Sequence, residues 1–252
     1  MSRYLKTSEI ARIVGVHPNT VRLYEAKGYL PLVPRNKAGY RLFTPRHLDH
    51  LRLAQLALSL PIAAFQKERI ELVQCAVDDP DRAMQLAEAH LHHVRLERTR
   101  AEAAAEFLER WAHGQVLDTA NRTLSIGQTA IHLGVTADQL RNWDRSGLLD
   151  VPRDPETGYR LYGAAEIGRL RVIRMLRQSG YSLMAILRML RRFDAGEIDG
   201  LREALDTPGD HEAVETVADR WLTTLAEQEQ RAQAIIRQIA AMIAAGAWHS
   251  TP

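Results

Sequence analysis

Apolar positions recur at alternating spacings of three and four in two long stretches of the chain. Between residues 80 and 112 they are Met84, Ala87, Leu91, Val94, Ala101, Ala105, Leu108 and Ala112, interrupted by Arg98. Between residues 211 and 247 they are Val214, Ala218, Trp221, Leu225, Ala232, Ile235, Ile239 and Met242, interrupted by Gln228. Such spacing over about four heptads predicts a coiled-coil seam on each of two long helices. At about 1.5 Å per residue each is roughly 45 Å long. Asp79-Pro80-Asp81 makes a good start for the first.

The two seams suit each other. Setting Arg98 opposite Gln228 in an antiparallel pair places Ala87 against Ile239, Val94 against Ala232 and Ala101 against Leu225. It also places Ala105 against Trp221 and Leu108 against Ala218. Large residues then meet small ones, as close packing requires. Pairing 80–112 with a copy of itself gives mostly alanines with two arginines near the middle, a poorer core. Helix 80–112 is therefore expected to pair with helix 211–247, within one chain or in a swapped homodimer.

A second pattern repeats at an offset of 119 without a gap. Gly15-Val16, Arg22, Gly28, Leu30 and Gly39-Tyr40-Arg41-Leu42 return as Gly134-Val135, Arg141, Gly147, Leu149 and Gly158-Tyr159-Arg160-Leu161. Leu51-Arg52 likewise returns as Leu170-Arg171. Two copies of one module are implied. Each opens with two short helices. In the first copy Thr7 to Val14 ends at Gly15, and Pro18 opens a helix that stops at Gly28. In the second, Ser125 with Gln128 and Thr136 with Gln139 read as capping boxes, and Gly134 and Gly147 take the stops. Two such helices about a glycine turn make a helix-turn-helix. Residues 30–43 and 149–162 follow as short extended runs about a polar turn, each a small hairpin or wing. A third helix starts at Thr44-Pro45 and near Ala164.

Charge sharpens this organisation. The net charge of +2 conceals a partition: residues 1–58 carry net +7, residues 123–193 net +5, and the remainder −10. Positive charge concentrated on the two repeats marks a polyanion binder. The single cysteine, Cys75, excludes a disulfide within one chain and argues against a thiolate metal cluster. No signal-peptide run opens the chain, and no stretch approaches ~18 uninterrupted apolar residues, so a cytoplasmic protein with no membrane partner is expected.

Val21-Arg22-Leu23-Tyr24-Glu25, followed by Gly28-Tyr29-Leu30 and a wing ending in Gly-Tyr-Arg, resembles the MerR family of transcriptional regulators. The resemblance covers roughly residues 5–75 and 123–193. The second copy departs from the pattern: Trp143 replaces the tyrosine, Asp144 the glutamate, and Asn142 precedes them. It carries Gly180-Tyr181-Ser182-Leu183, the family's usual entry to a fourth helix. The first copy has Leu60-Pro61-Ile62-Ala63 there, which leaves its fourth helix unsupported. The fold expected is mainly α: two winged helix-turn-helix domains, each with a small β-hairpin wing, and two long coiled-coil helices in pseudo-dimeric antiparallel pairing. Four segments follow, at 5–75, 80–112, 123–193 and 211–247.

The resemblance implies a regulator of double-stranded DNA that works with RNA polymerase at a promoter. The exposed face of the second helix would meet base edges through His17, Asn19, Thr20 and Arg22, and through Thr136, Asp138, Gln139 and Arg141. Tyr24 and Trp143 match the family's phosphate-contacting aromatic. Arg41 and Arg160, after Tyr40 and Tyr159, match the wing arginine, and Arg35 and Arg153 add to it from the opposite arm. The differences between the two sets imply two unlike half-sites.

Other functions have less support in the residues. Phe107, Trp111 and Trp221 fall near one another in the proposed register and could line a small apolar effector site. A small-molecule sequestering or resistance protein on the same scaffold is the alternative. His90, His92 and His93 read as a solvated helix face, and no metal site is assigned. A glycine-rich phosphate loop, a nucleophile with its base and a carboxylate pair are all missing, so neither catalysis nor a cofactor is expected.

Overall fold

The computed structural model describes residues 4–59, 65–115, 123–208 and 217–246. Leu60-Pro61-Ile62-Ala63, Val214 and most of the connector 113–122 lie outside them. The chain is mainly helical and divides into two compact units. Unit 1 comprises residues 1–95 and 227–252, and unit 2 residues 96–226.

In unit 1 the first three helices are α1 Thr7–Val14, α2 Pro18–Ala26 and α3 Pro45–Leu58. Gly15 ends α1 in the left-handed conformation at φ 75°, which a residue without Cβ adopts at least cost. Pro18 sits in the first turn of α2, where its missing N–H is not needed. A fourth helix, α4 Gln66–Cys75, forms despite the unfavourable Leu60-Pro61-Ile62-Ala63 entry, and buries Leu72 and Val73 in the unit's core. That core also takes Ile10, Val21, Leu30, Phe43 and Leu51.

The long helix α5 runs Pro80–Ala112. Ala83 and Ala87 from its first part lie in the unit 1 core. So do Ile235, Ile239 and Met242 from α11, Trp221–Ala244. Arg95 Nε donates to Glu229 Oε1 at 2.8 Å. Arg231 reaches the Ser59 hydroxyl at 2.6 Å, and Gln238 reaches the Asp49 carbonyl at 3.4 Å, tying α11 to α3. Of the expected span 211–247, residues 211–216 and 247 lie outside the described residues, and the rest needs correction. The α-helix starts at Trp221 after a 3₁₀ turn, Val217–Arg220, and ends at Ala244. The face of three histidines also needs correction. His90 is buried against the Phe65 ring at 5.5 Å, while His92 and His93 are exposed.

Unit 2 repeats the scheme with α6 Ile126–Leu133, α7 Ala137–Arg145, α8 Ala164–Gln178 and α9 Leu183–Asp194, and adds a short α10, Leu201–Asp206. Both capping boxes read in the sequence are present. The Ser125 N–H donates to Gln128 Oε1 at 2.9 Å and the Thr136 N–H to Gln139 Oε1 at 2.9 Å, with the hydroxyls answering in reverse. The core gathers Leu140, Tyr162, Leu170, Ile173 and Met189. Ala101, Ala104, Ala105 and Leu108 of α5 join it, with Trp221 and Leu225 of α11. The Tyr181 hydroxyl donates to the Ala101 carbonyl at 3.1 Å, and Asp206 caps α11 by accepting the Leu222 N–H at 2.8 Å. No helix among the described residues is long and apolar enough to cross a membrane.

Candidate nucleic-acid interface

In each unit the second helix and the segment after it are built alike. Residues 34–42 turn back on themselves with an antiparallel bridge between Arg35 and Arg41, and residues 152–161 do so between Arg153 and Arg160. A short polar side chain shapes each turn. Asn36 Oδ1 accepts the Ala38 and Tyr40 N–H groups at 3.0 and 2.9 Å, and Asp154 Oδ1 accepts those of Glu156 and Thr157 at 3.0 and 2.8 Å. The same bonds, that from Thr157 first, hold the Asp154 carboxyl below the usual carboxylate range. Tyr40 and Tyr159, just beyond, stand 72% and 75% exposed.

The wing arginines are held by carboxylates of the preceding helix. Arg41 Nε donates to Glu25 Oε2 at 2.5 Å, and Arg35 lies 3.6 Å from Glu25 Oε1. In the second unit Arg160 reaches Asp144 Oδ2 through Nε at 2.8 Å and Nη2 at 2.6 Å. Arg35 and Arg153 also bond the Gly39 and Gly158 carbonyls, at 3.4 and 3.1 Å. A guanidinium has five N–H donors, so a carboxylate that takes one edge fixes its direction and leaves the rest for an anion. Glu25 and Asp144 stand in the sequence motif, but the motif alone assigns them no role. The available signal was an acid kept at the same repeat position while its neighbours changed.

The helix residues assigned to base edges fall into two groups. His17, Asn19 and Arg22 are exposed and Thr20 half-buried, while Thr136, Asp138, Gln139 and Arg141 are all exposed. His17 also caps α2, its Nδ1 accepting the Asn19 N–H at 3.2 Å. Tyr24 and Trp143 are buried instead. The Tyr24 ring meets Tyr29 edge-on at 5.6 Å, and burial raises its hydroxyl pKa, keeping it protonated. Both aromatics belong to the hydrophobic core of their unit.

Phe107, Trp111 and Trp221 meet in the unit 2 core, Trp221 within it and the other two packed against it. Trp221 is buried, its Nε1–H donating to the Ser179 carbonyl at 2.7 Å, and Phe107 packs against the unit 2 core. Trp111 lies against Phe193, centroids 4.4 Å apart, and these two with Asp150, Glu166 and Arg169 border an open cleft of ≈820 Å³. Cys75 is a half-buried free thiol. Among the described residues no three His, Cys, Asp or Glu side chains are grouped to hold a metal ion.

The family model described as MerR HTH family regulatory protein matches residues 5–60 and 124–192, the two regions that carry these features. A mercuric resistance operon regulatory protein of Bacillus cereus is 33% identical over 72 residues, 29% of this chain and 54% of that protein. Its counterpart from Serratia marcescens is 37% identical over 71 residues, 28% of this chain and 49% of that protein. The HTH-type transcriptional regulator CueR of Escherichia coli O157:H7 is 36% identical over 53 residues, 21% of this chain and 39% of that protein. The chain thus spans about half the length, or less, of the curated relatives it matches. No solved structure matches it significantly. Both regions thus carry a MerR-type helix-turn-helix domain.

Proposed function

We propose that the chain is a sequence-specific transcription regulator whose two heads bind two unlike half-sites in double-stranded DNA at a promoter, alongside RNA polymerase. The observation that carries this is the wing arginine locked to a helix carboxylate in both units, beside an exposed N-terminal end of the second helix. Fixed guanidinium groups suit phosphate contact, which positions a protein on the duplex, and the helix end suits base readout. The unlike half-sites rest on the differences between Asn19 and Asp138 and between Thr20 and Gln139.

The same proposal pairs α5 with α11 within one chain as an antiparallel seam, so that one chain mimics a dimer. Within each unit, small α5 residues and large α11 residues share a buried cluster, which supports this.

Arg41→Ala and Arg160→Ala test the phosphate assignment. Each is expected to weaken binding about equally across duplex sequences and to lower the slope of log affinity against log salt by about one. Fluorescence anisotropy titrations over a range of salt concentrations measure both effects. A slope unchanged in both variants removes the wing arginines from the interface.

A second function, response to a small molecule, has one specific support, the cleft beside Trp111 and Phe193. A ligand seated there changes Trp111 emission, and Trp111→Leu abolishes that response without altering DNA affinity in the absence of ligand.

A further inference from the structure

The second residue of each recognition helix holds the arginine three positions on. In α2 the Asn19 Oδ1 accepts from Arg22 Nη1 at 3.0 Å, and in α7 the Asp138 Oδ1 accepts from Arg141 Nη1 at 2.5 Å. The two pairs occupy equivalent repeat positions but present opposite hydrogen-bonding character outward. With its oxygen engaged, Asn19 offers an amide NH₂, a donor. Asp138 offers a second carboxylate oxygen, which only accepts and has no partner among the described residues.

Asp138 is a poor choice for stability alone. Its side chain is 89% exposed and that of Arg141 50%, and exposed ion pairs contribute little. Against a phosphate backbone a free carboxylate repels. That cost is offset only where the carboxylate accepts a hydrogen bond from the groove, and among major-groove edges the cytosine amino group is the usual partner of an acidic side chain. The remaining edge of the Arg141 fork suits guanine O6 and N7.

We propose that Asp138 is the specificity-determining residue of the second head. It orients Arg141 towards a guanine and itself accepts from a neighbouring cytosine, a step that the first head, with Asn19, does not select. This inference rests on the DNA-binding function proposed above. Its mechanism is discrimination: the carboxylate lowers affinity for every duplex lacking an amino donor at that step, and so separates cognate from non-cognate sites more than Arg141 alone.

The test is selection from a random duplex library by the intact chain, in parallel with Asp138→Asn and Asn19→Asp. The unmodified chain is expected to return a site with a fixed cytosine beside guanine in one half only. Asp138→Asn should lower the preference for that cytosine about tenfold and raise affinity for unrelated duplex a fewfold. Asn19→Asp should impose a cytosine in the other half. A carboxylate in the first helical turn also favours the helix through its dipole, but losing that support moves stability and leaves base preference alone. If Asp138→Asn binds DNA with an unchanged consensus, the specificity role is overturned and the DNA-binding function stands. If the folded variant loses affinity for all duplexes, the role is overturned as well, because removing an exposed carboxylate strengthens attraction to phosphate. Failure of the unmodified chain to retain any duplex overturns both.

Discussion

Trp221→Ala is expected to lower the stability of unit 2 by about 3–5 kcal/mol, the usual range for a buried tryptophan truncated to alanine. In a unit of this size that is roughly a 10 °C fall in melting temperature. Three features place the residue in this class. Its indole is buried at the start of α11, in one cluster with Ala101, Ala105, Leu108 and Leu225. Its Nε1–H is the donor to the Ser179 carbonyl at 2.7 Å, so truncation also leaves a buried-side acceptor without that bond. The ring lies directly over Gly180, where an added Cβ would sit 2.5 Å from Nε1. Gly180 also has φ +95°, so backbone conformation and ring together require glycine. Urea unfolding followed by circular dichroism measures the loss, and Trp221→Phe separates ring volume from the hydrogen bond. Trp221→Ala that unfolds at the wild-type midpoint, with unchanged oligomeric mass, would remove α11 from the packing of unit 2.

Acid is expected to unfold unit 1 before unit 2. Burial pushes the His50 pKa down to about 3, with Arg46 and His47 adding to the shift. Burial also lowers His47, against the opposing pull of the Leu32 carbonyl and Glu25. The His90 pKa is lowered by burial too, opposed by Glu68 and assisted by Arg69 and His93. In the unfolded chain each of these imidazoles takes a proton near pH 6.5. The folded unit resists that proton, so its stability is complete above pH 6.5 and declines as the pH falls towards 3. His50 alone contributes on the order of 4 kcal/mol over that range. The repeat positions equivalent to His47 and His50 hold Glu166 and Arg169 in unit 2. Glu166 accepts the Gly163 N–H at 2.8 Å, while Arg169 donates to the Leu148 carbonyl at 2.7 Å and pairs with Asp194. Arg169 holds the Asp194 carboxyl below its ordinary value of 3.8, so that pair fails only in stronger acid. Hydrogen exchange read by mass spectrometry at stepwise pH distinguishes the units. Unit 1 should lose protection first between pH 6 and 4, and simultaneous loss in both would contradict the histidine account.

Local chemistry made most of the helices legible. α1, α2, α6 and α7 begin at proline or capping residues and stop at or just before glycine, signals contained within a few residues. The fourth helix of the first copy lacked such a signal. Its N-terminal flank is Phe65, with φ +64°, and burial of Leu72 and Val73 against distant residues supports it instead. α10 is six residues long and starts after a left-handed Gly200, too short for any apolar period to emerge. The heptads of residues 80–112 marked their helix closely, whereas the early part of 211–247 carried the same spacing without α-helix at 217–220.

The candidate interface was legible in its identities more than in its contacts. Arg41 and Arg160 could be chosen from the repeat, but their carboxylate partners lie 16 positions earlier, a separation that no helix or strand period connects. Tyr24 and Trp143 could be chosen too, yet their burial depends on core residues distant in sequence. His90 shares a helix with exposed His92 and His93, and the packing of Phe65 against it lies outside any pattern of that helix.

Two reading heads in one chain, each with its own base preference, can be tested most directly by footprinting the intact chain on a retained genomic fragment. Two protected half-sites of different sequence are predicted, one lost in Arg22→Ala and the other in Arg141→Ala. Protection of a single site that survives Arg141→Ala, or of a perfect palindrome, would contradict it.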